Sequence, residues 1–212
     1  MRMNLKNKSI KKLSLKKVKL TAKNLFIFLI SFSIITIIIG IIFYFLLSAK
    51  DKETVGLSIT NYFTIKDNYD YTTLLKENIL DNTYDTFLIW ILGISVIGVV
   101  ATIFIYFCEL FSIGFTIAGI VNTYNLKGTI GVLCYLIPTK ICYIVVLFLL
   151  TFFAIKISYK LIKLCFTKEE INIKLEISKY FKVLLFSFVA MIAISMLTVF
   201  VDPLLIKLFT KI

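Results

Sequence analysis

The feature that most constrains this chain is an apolar segment from Leu25 to Leu47, which has 23 residues without a charged side chain, a proline or an amide. As an α-helix it would be about 35 Å long, enough to cross a hydrocarbon core of about 30 Å with some tilt. At least three comparable stretches follow, and 59% of the 212 residues are apolar. The sequence therefore predicts an all-α fold, a polytopic membrane helix bundle.

The charges around this first segment predict its direction. Nine basic residues and no acidic residue precede it, which is a strong positive-inside signal. Residues 1–24 are therefore predicted to form a basic cytoplasmic tail that contacts an anionic inner leaflet. The apolar core is longer than that of a signal peptide and no A-x-A-like cleavage site follows, which favours a retained anchor. The net charge is +12, but the basic residues are distributed according to the side of the membrane, so the charge does not indicate nucleic-acid binding.

Hydropathy and charge together predict five transmembrane helices, with the N-terminus inside and the C-terminus outside. The predicted helices cover residues 25–47, 86–107, 110–124, 129–155 and 181–201. The second and third could instead form a re-entrant pair, because 110–124 is short. Residues 48–85 carry seven acids against four lysines and are predicted to form an extracytoplasmic loop, whereas the lysine-rich segment 156–180 is predicted to be cytoplasmic.

Within the predicted outer loop, the apolar pattern of Tyr71, Leu74, Leu75 and Ile79 fits a short amphipathic helix against the membrane or the bundle. A solvated loop is the alternative. Elsewhere, small residues in the predicted spans offer surfaces where a second helix could approach closely. These helix-packing candidates are Gly93, Gly98, Gly114 and Ala118.

Three residues make the polar sites of the predicted membrane region. Lys140 follows Pro138 inside the fourth predicted helix, where a proline can kink a helix or separate two half-helices. An ionisable residue at membrane depth is a functional candidate, although a snorkelling or paired lysine is the simpler interpretation. Glu109 is predicted near the inner interface. A Glu109–Lys140 pair is one alternative, but we expect the depths of the two residues to differ by about half the bilayer.

The composition argues against an enzyme. Histidine is absent, and there is no P-loop, G-x-S-x-G or H-E-x-x-H motif. The four cysteines have no C-x-x-C spacing and are predicted to be reduced packing residues. We therefore expect no catalytic residue, no cofactor and no metal.

A series of residues from Asn82 onward resembles the stage II sporulation protein M family, the multi-spanning membrane component of the bacterial engulfment machinery. The residues that carry the resemblance are Asn82, Trp90, the run Leu92-Gly93-Ile94-Ser95-Val96-Ile97-Gly98, the run Gly114-Phe115-Thr116, Asn122, Gly128 and Pro138. The length, the basic tail, the first anchor and the outer loop also match.

The resemblance implies a non-enzymatic scaffold in the cell membrane, on the mother-cell side of the sporulation septum. Such a scaffold would recruit the peptidoglycan-degrading stage II sporulation proteins D and P, so that the septal wall is thinned and the membrane migrates around the forespore. Our candidates for partner contact are the outer aromatic residues Tyr62, Phe63, Tyr69 and Tyr71. The rival hypothesis is a small transporter or channel subunit, in which Lys140 would bind an anion near mid-membrane.

Overall fold

The structure, a computed structural model, describes residues 22–63, 71–95, 98–135, 139–167 and 173–211. Within these ranges it contains seven helices and no strand, which confirms the all-α prediction. The helices are α1 (Ala22–Leu46), α2 (Ala49–Phe63), α3 (Tyr71–Gly93), α4 (Gly98–Tyr124), α5 (Leu126–Tyr135), α6 (Ile141–Thr167) and α7 (Ile173–Lys211).

Four of the described helices are long and apolar enough to cross a membrane. These candidate spans are Ala22–Leu46, Gly98–Tyr124, Ile141–Leu164 and Lys174–Lys207, in α1, α4, α6 and α7. Large apolar side chains on their outer surfaces are exposed, as the outside of a bundle in lipid requires. The chain is therefore a polytopic helical membrane protein.

The closest helix contact joins α1 to α4. A Cβ atom added to Gly114 would lie 2.2 Å from the carbonyl oxygen of Ile37, and one added to Gly40 would lie 2.3 Å from that of Phe111. Nearer the start of both helices, the hydroxyls of Ser33 and Tyr106 share a hydrogen bond of 2.6 Å. Because residue numbers rise together along both helices, α1 and α4 are parallel.

Because α1 and α4 are parallel, the chain must return to the inner end after α1 and before α4. The helix that makes this return is α3. It runs antiparallel to α7, since Tyr71 stacks on Phe200 at one end and Trp90 stacks on Tyr180 at the other. Twenty residues of α7 correspond to about 30 Å, the thickness of a hydrocarbon core. Four charged residues exclude α3 from the candidate spans by composition, although its second half lies in the core. They are Lys76, Glu77, Asp81 and Asp85.

The remaining helices complete five passes of alternating direction. α5 lies against the end of α4, where Gly128 meets Ile120, and α6 continues the same course until Ser158 donates a hydrogen bond to the carbonyl oxygen of Gly93. α7 then returns along α3. We call the end at which α1 begins the inner end, which the charges predict to face the cytoplasm, and the opposite end the outer end.

Several predicted boundaries are wrong. No break occurs near Glu109, because α4 is one unbroken helix from Gly98 to Tyr124, and the turn between the second and third passes lies at Ile94 and Ser95. The fourth predicted helix is divided into α5 and α6. The last helix does not end before Pro203. It extends to Lys211, since Ile206 and Phe209 beyond the proline are buried.

The segment 48–85, predicted as a loop with one short helix, is helical from Ala49 onward wherever it is described. It contains α2 and the first half of α3, so the helical alternative near Tyr71 is confirmed. A reciprocal cap begins α2, where the Ser48 hydroxyl donates to the carboxylate of Asp51 and accepts from the Asp51 backbone N–H. α2 then closes the outer end. There Phe63 packs on Tyr124 and Phe209, with ring centroids 5.5 and 4.8 Å away.

The α1–α4 contact predicts a stability difference between two glycine substitutions. In Gly114→Ala the new methyl would clash with the backbone of Ile37. We expect a loss of about 1–3 kcal/mol of stability, the usual cost of overpacking. The measurement is the midpoint of thermal unfolding in detergent.

Gly56→Ala in α2 is the matched control, because its Cβ would make an ordinary contact of 3.5 Å with the Thr123 hydroxyl. This variant should keep the wild-type midpoint. Equal midpoints for both variants would contradict the packing of α1 against α4.

Candidate functional site: a polar cluster within the bundle

Ionisable side chains from three helices, and from the residue just before a fourth, converge inside the bundle. Asp85 comes from α3, Glu109 from α4 and Asp202 from α7, and Lys140 immediately precedes α6. Electrostatic interactions link Lys140 to both Glu109 and Asp202. Charged residues at membrane depth are costly unless they pair with one another, so this cluster is the candidate functional site.

Tyr143 is the centre of one half of the cluster. Its side chain is buried, and its hydroxyl donates to Oδ2 of Asp85 at 3.4 Å. Glu109, which lies on α4, interacts with the same Tyr143 hydroxyl. Glu109 lies eleven residues after Gly98, about 16 Å along the helix axis. The predicted position near the inner interface is therefore wrong, since a continuous α4 carries this residue to the depth of Lys140.

Lys140 lies between two tyrosine rings. Its Nζ is 5.7 Å from the ring centroids of both Tyr135 and Tyr143, which are cation–π distances. Thr139 and Lys140 have π-helical geometry, a local distortion that often occurs at functional sites. Pro138, the residue predicted to cause a break here, lies outside the described residues.

Asp202 and Tyr62 form the other half of the cluster. The Tyr62 hydroxyl donates to Oδ2 of Asp202 at 3.3 Å, and the Asp202 side chain is almost completely buried. This bond ties α2 to α7. The sequence does not predict either Asp85 or Asp202 as a member of the cluster, because Asp85 ends the predicted outer loop and Asp202 follows the last predicted helix. A signal for Asp202 was available, since the apolar pattern continues through Leu204, Leu205 and Ile206.

The outer aromatic residues have different environments. Tyr62 and Tyr71 are 44% and 47% exposed, so both remain available to a partner. Phe63 is only 3% exposed. Its prediction as a partner contact is therefore wrong, because the ring fills the junction of α2, α4 and α7. Tyr69 lies outside the described residues.

The four small residues lie at close contacts between helices or turns. A Cβ on Gly93 would lie 2.1 Å from the Tyr180 hydroxyl, and one on Gly98 would lie 1.8 Å from the Leu92 carbonyl oxygen. Gly114 packs against α1, and Ala118 is buried. These contacts bring together α1, α3, α4 and α7 within a single chain.

The chemistry of the cluster is that of a cross-link between helices. Within the described part of the chain, no group of three or more His, Cys, Asp or Glu side chains could hold a metal ion. The cluster instead joins carboxylates to tyrosine hydroxyls and one lysine. The two hydroxyl–carboxylate distances of 3.3 and 3.4 Å are long for hydrogen bonds, so each contact is modest in strength.

Comparison with known families gives one match. Residues 24–199 match the family model described as stage II sporulation protein M. Neither the curated proteins nor the solved structures contain a match.

Residues that carry the family resemblance lie along the seam between α3 and α7. The Asn82 side chain donates to the Ser195 hydroxyl at 2.8 Å, and Trp90 stacks on Tyr180 with ring centroids 6.1 Å apart. Gly93 lies against the Tyr180 hydroxyl. The resemblance in this region therefore coincides with the contacts that hold α3 inside the bundle.

The cluster predicts energetic coupling between Lys140 and Glu109. Lys140→Met should lower the thermal midpoint in detergent, because removing one partner leaves buried carboxylates without a counter-charge. Glu109→Gln in the same background should restore part of the loss. We expect a coupling of about 0.5–3 kcal/mol in the double-mutant cycle.

Lys76→Met is the matched control, since Lys76 is exposed on the outer half of α3. It should leave the midpoint unchanged. Additive effects of the Lys140 and Glu109 substitutions would show that the two residues do not interact.

Proposed function

The chain belongs to the stage II sporulation protein M family, and we propose that it is a non-enzymatic membrane scaffold of engulfment. Family membership gives the chain a role in sporulation, and the four apolar helices give it a place in the membrane. The proposed scaffold recruits the stage II sporulation proteins D and P to the mother-cell side of the septum. Those peptidoglycan-degrading partners would thin the septal wall and allow the membrane to migrate.

The observation that carries this proposal is the extent of the family match. It begins within α1 and ends within α7, so it includes all five passes of the bundle. A match of this extent covers most of the helix bundle, and not only one apolar helix.

The outer end of the bundle supports a scaffold role. α2 and the first half of α3 extend there, and Tyr62 and Tyr71 expose aromatic surface beside them. Both tyrosines are anchored within the bundle, Tyr62 through Asp202 and Tyr71 through Phe200. Exposed aromatic side chains held in fixed positions are the usual anchors of protein interfaces, because little conformational entropy is lost on binding.

The cluster gives no support to the rival anion transporter. The positive charge of Lys140 is already opposed by Glu109 and Asp202. An anion entering the site would meet carboxylates as well as the ammonium group. Attraction to the lysine would therefore be offset by repulsion from the acids.

The proposal predicts a specific arrest in a sporulating host. Deletion of the gene should stop engulfment at septal thinning, and wild-type protein should restore it. Tyr71→Ala should restore engulfment poorly and co-purify less of proteins D and P, because it removes an exposed anchor. Microscopy of engulfing membranes and quantitative co-purification provide the two measurements.

Phe104→Ala is the matched control, since Phe104 is an exposed aromatic residue in the apolar helix α4. It should support engulfment and partner recovery as the wild type does, at equal protein level. Normal engulfment in the deletion strain, or solute uptake by proteoliposomes that contain this chain alone, would contradict the scaffold.

A further inference from the structure

Two cavities follow one another along the seam between α6 and α7. The first lies at the inner end, where α6 finishes and α7 starts, and has a volume of about 90 Å³. The second lies deeper in the bundle, is about 310 Å³ and is walled mainly by apolar side chains. Phe153 lines both cavities, so the two are adjacent along the seam.

The inner cavity carries an excess of positive charge. Three lysines line it, Lys156, Lys160 and Lys179, against a single acid, Glu176. Glu176 is shared, because it pairs with Lys160 and also lies 3.5 Å from the ammonium of Lys179. Three positive charges and one negative charge give about +2, so the cavity is suited to an anion.

Lys156 is the lysine whose charge is least satisfied. Its Nζ lies 6.0 and 5.7 Å from the ring centroids of Phe152 and Phe153, and no ion pair involves it among the described residues. Cation–π contacts leave the ammonium group free to approach an anionic oxygen. Lys156 therefore provides a donor at the border between the basic and the apolar cavity.

The deeper cavity is lined mainly by apolar side chains, together with Lys182 and Ser187. Its walls include Leu149, Val183 and Phe186, and Leu149 and Phe186 are 37% and 64% exposed on the bundle surface. In a membrane such exposure faces acyl chains. The cavity is thus a groove open to the bilayer, next to the basic inner cavity.

We propose that the seam between α6 and α7 binds one anionic phospholipid of the inner leaflet. The phosphate lies among Lys156, Lys160 and Lys179, and one acyl chain follows the groove past Phe153 toward Leu149 and Phe186. Basic pockets between membrane helices on the cytoplasmic side are typical headgroup sites. The apolar groove beside the basic cavity points to a lipid, because free phosphate would use only the inner cavity.

The test is binding of defined ligands to the purified full chain in detergent, measured by native mass spectrometry. Phosphatidylglycerol should bind more tightly than phosphatidylcholine, and glycerol 3-phosphate should compete poorly. The double variant Lys156→Gln and Lys179→Gln should weaken the apparent affinity for phosphatidylglycerol about thirtyfold, from two lysine contacts. The double variant Lys50→Gln and Lys76→Gln removes the same charge at the outer end and should bind as the wild type does.

A third variant tests the groove separately from the charges. Leu149→Trp fills the groove without changing the lysines, and it should weaken phosphatidylglycerol binding while the thermal midpoint stays unchanged. Equal affinities for the two phospholipids would overturn the proposal. Equal competition by glycerol 3-phosphate would also overturn it, because the site would then bind phosphate without a lipid chain.

Discussion

The contact between α1 and α4 is the constraint on which the rest of the bundle depends. In lipid, helices gain little from burying apolar surface against one another, so close van der Waals contact between backbones becomes important. Gly40 and Gly114 permit this approach, since a Cβ at either position would overlap a carbonyl oxygen of the other helix. The contact also requires the two helices to be parallel, and the chain must therefore cross the bundle between them.

That crossing explains why charged residues lie inside the bundle. The crossing helix is α3, which carries Asp85 as well as Asn82, whose side chain donates to Ser195 of α7. Once Asp85 is at this depth, it needs donors, and Tyr143 supplies one. Lys140, which immediately precedes α6, opposes the charge of Glu109 and Asp202. The polar cluster thus follows from the helix order that the α1–α4 contact imposes.

The sequence predicted the all-α class and the polytopic membrane bundle, because long uncharged segments indicate membrane-spanning helices. It predicted five spans, whereas four described helices are long and apolar enough to cross. It misplaced α3, since a helix with four charges has no clear hydropathy signal even when its partners satisfy them. It also divided α4 at Glu109, because a single acid resembles an interface residue when its partner is unknown. The cluster joins residues up to 117 positions apart, from Asp85 to Asp202, and no local pattern reports such contacts.

The two ends of the bundle consequently differ in what they can do. At the outer end, α2, α5 and the last turns of α7 are joined by aromatic packing and by the Tyr62–Asp202 bond, which fixes exposed rings for recognition. At the inner end, lysines of α6 and α7 gather around one glutamate and leave positive charge unbalanced. The polar cluster lies between these two ends. Because α7 lines the inner cavity and also carries Asp202, a ligand bound at the inner end would contact a helix that reaches the outer surface.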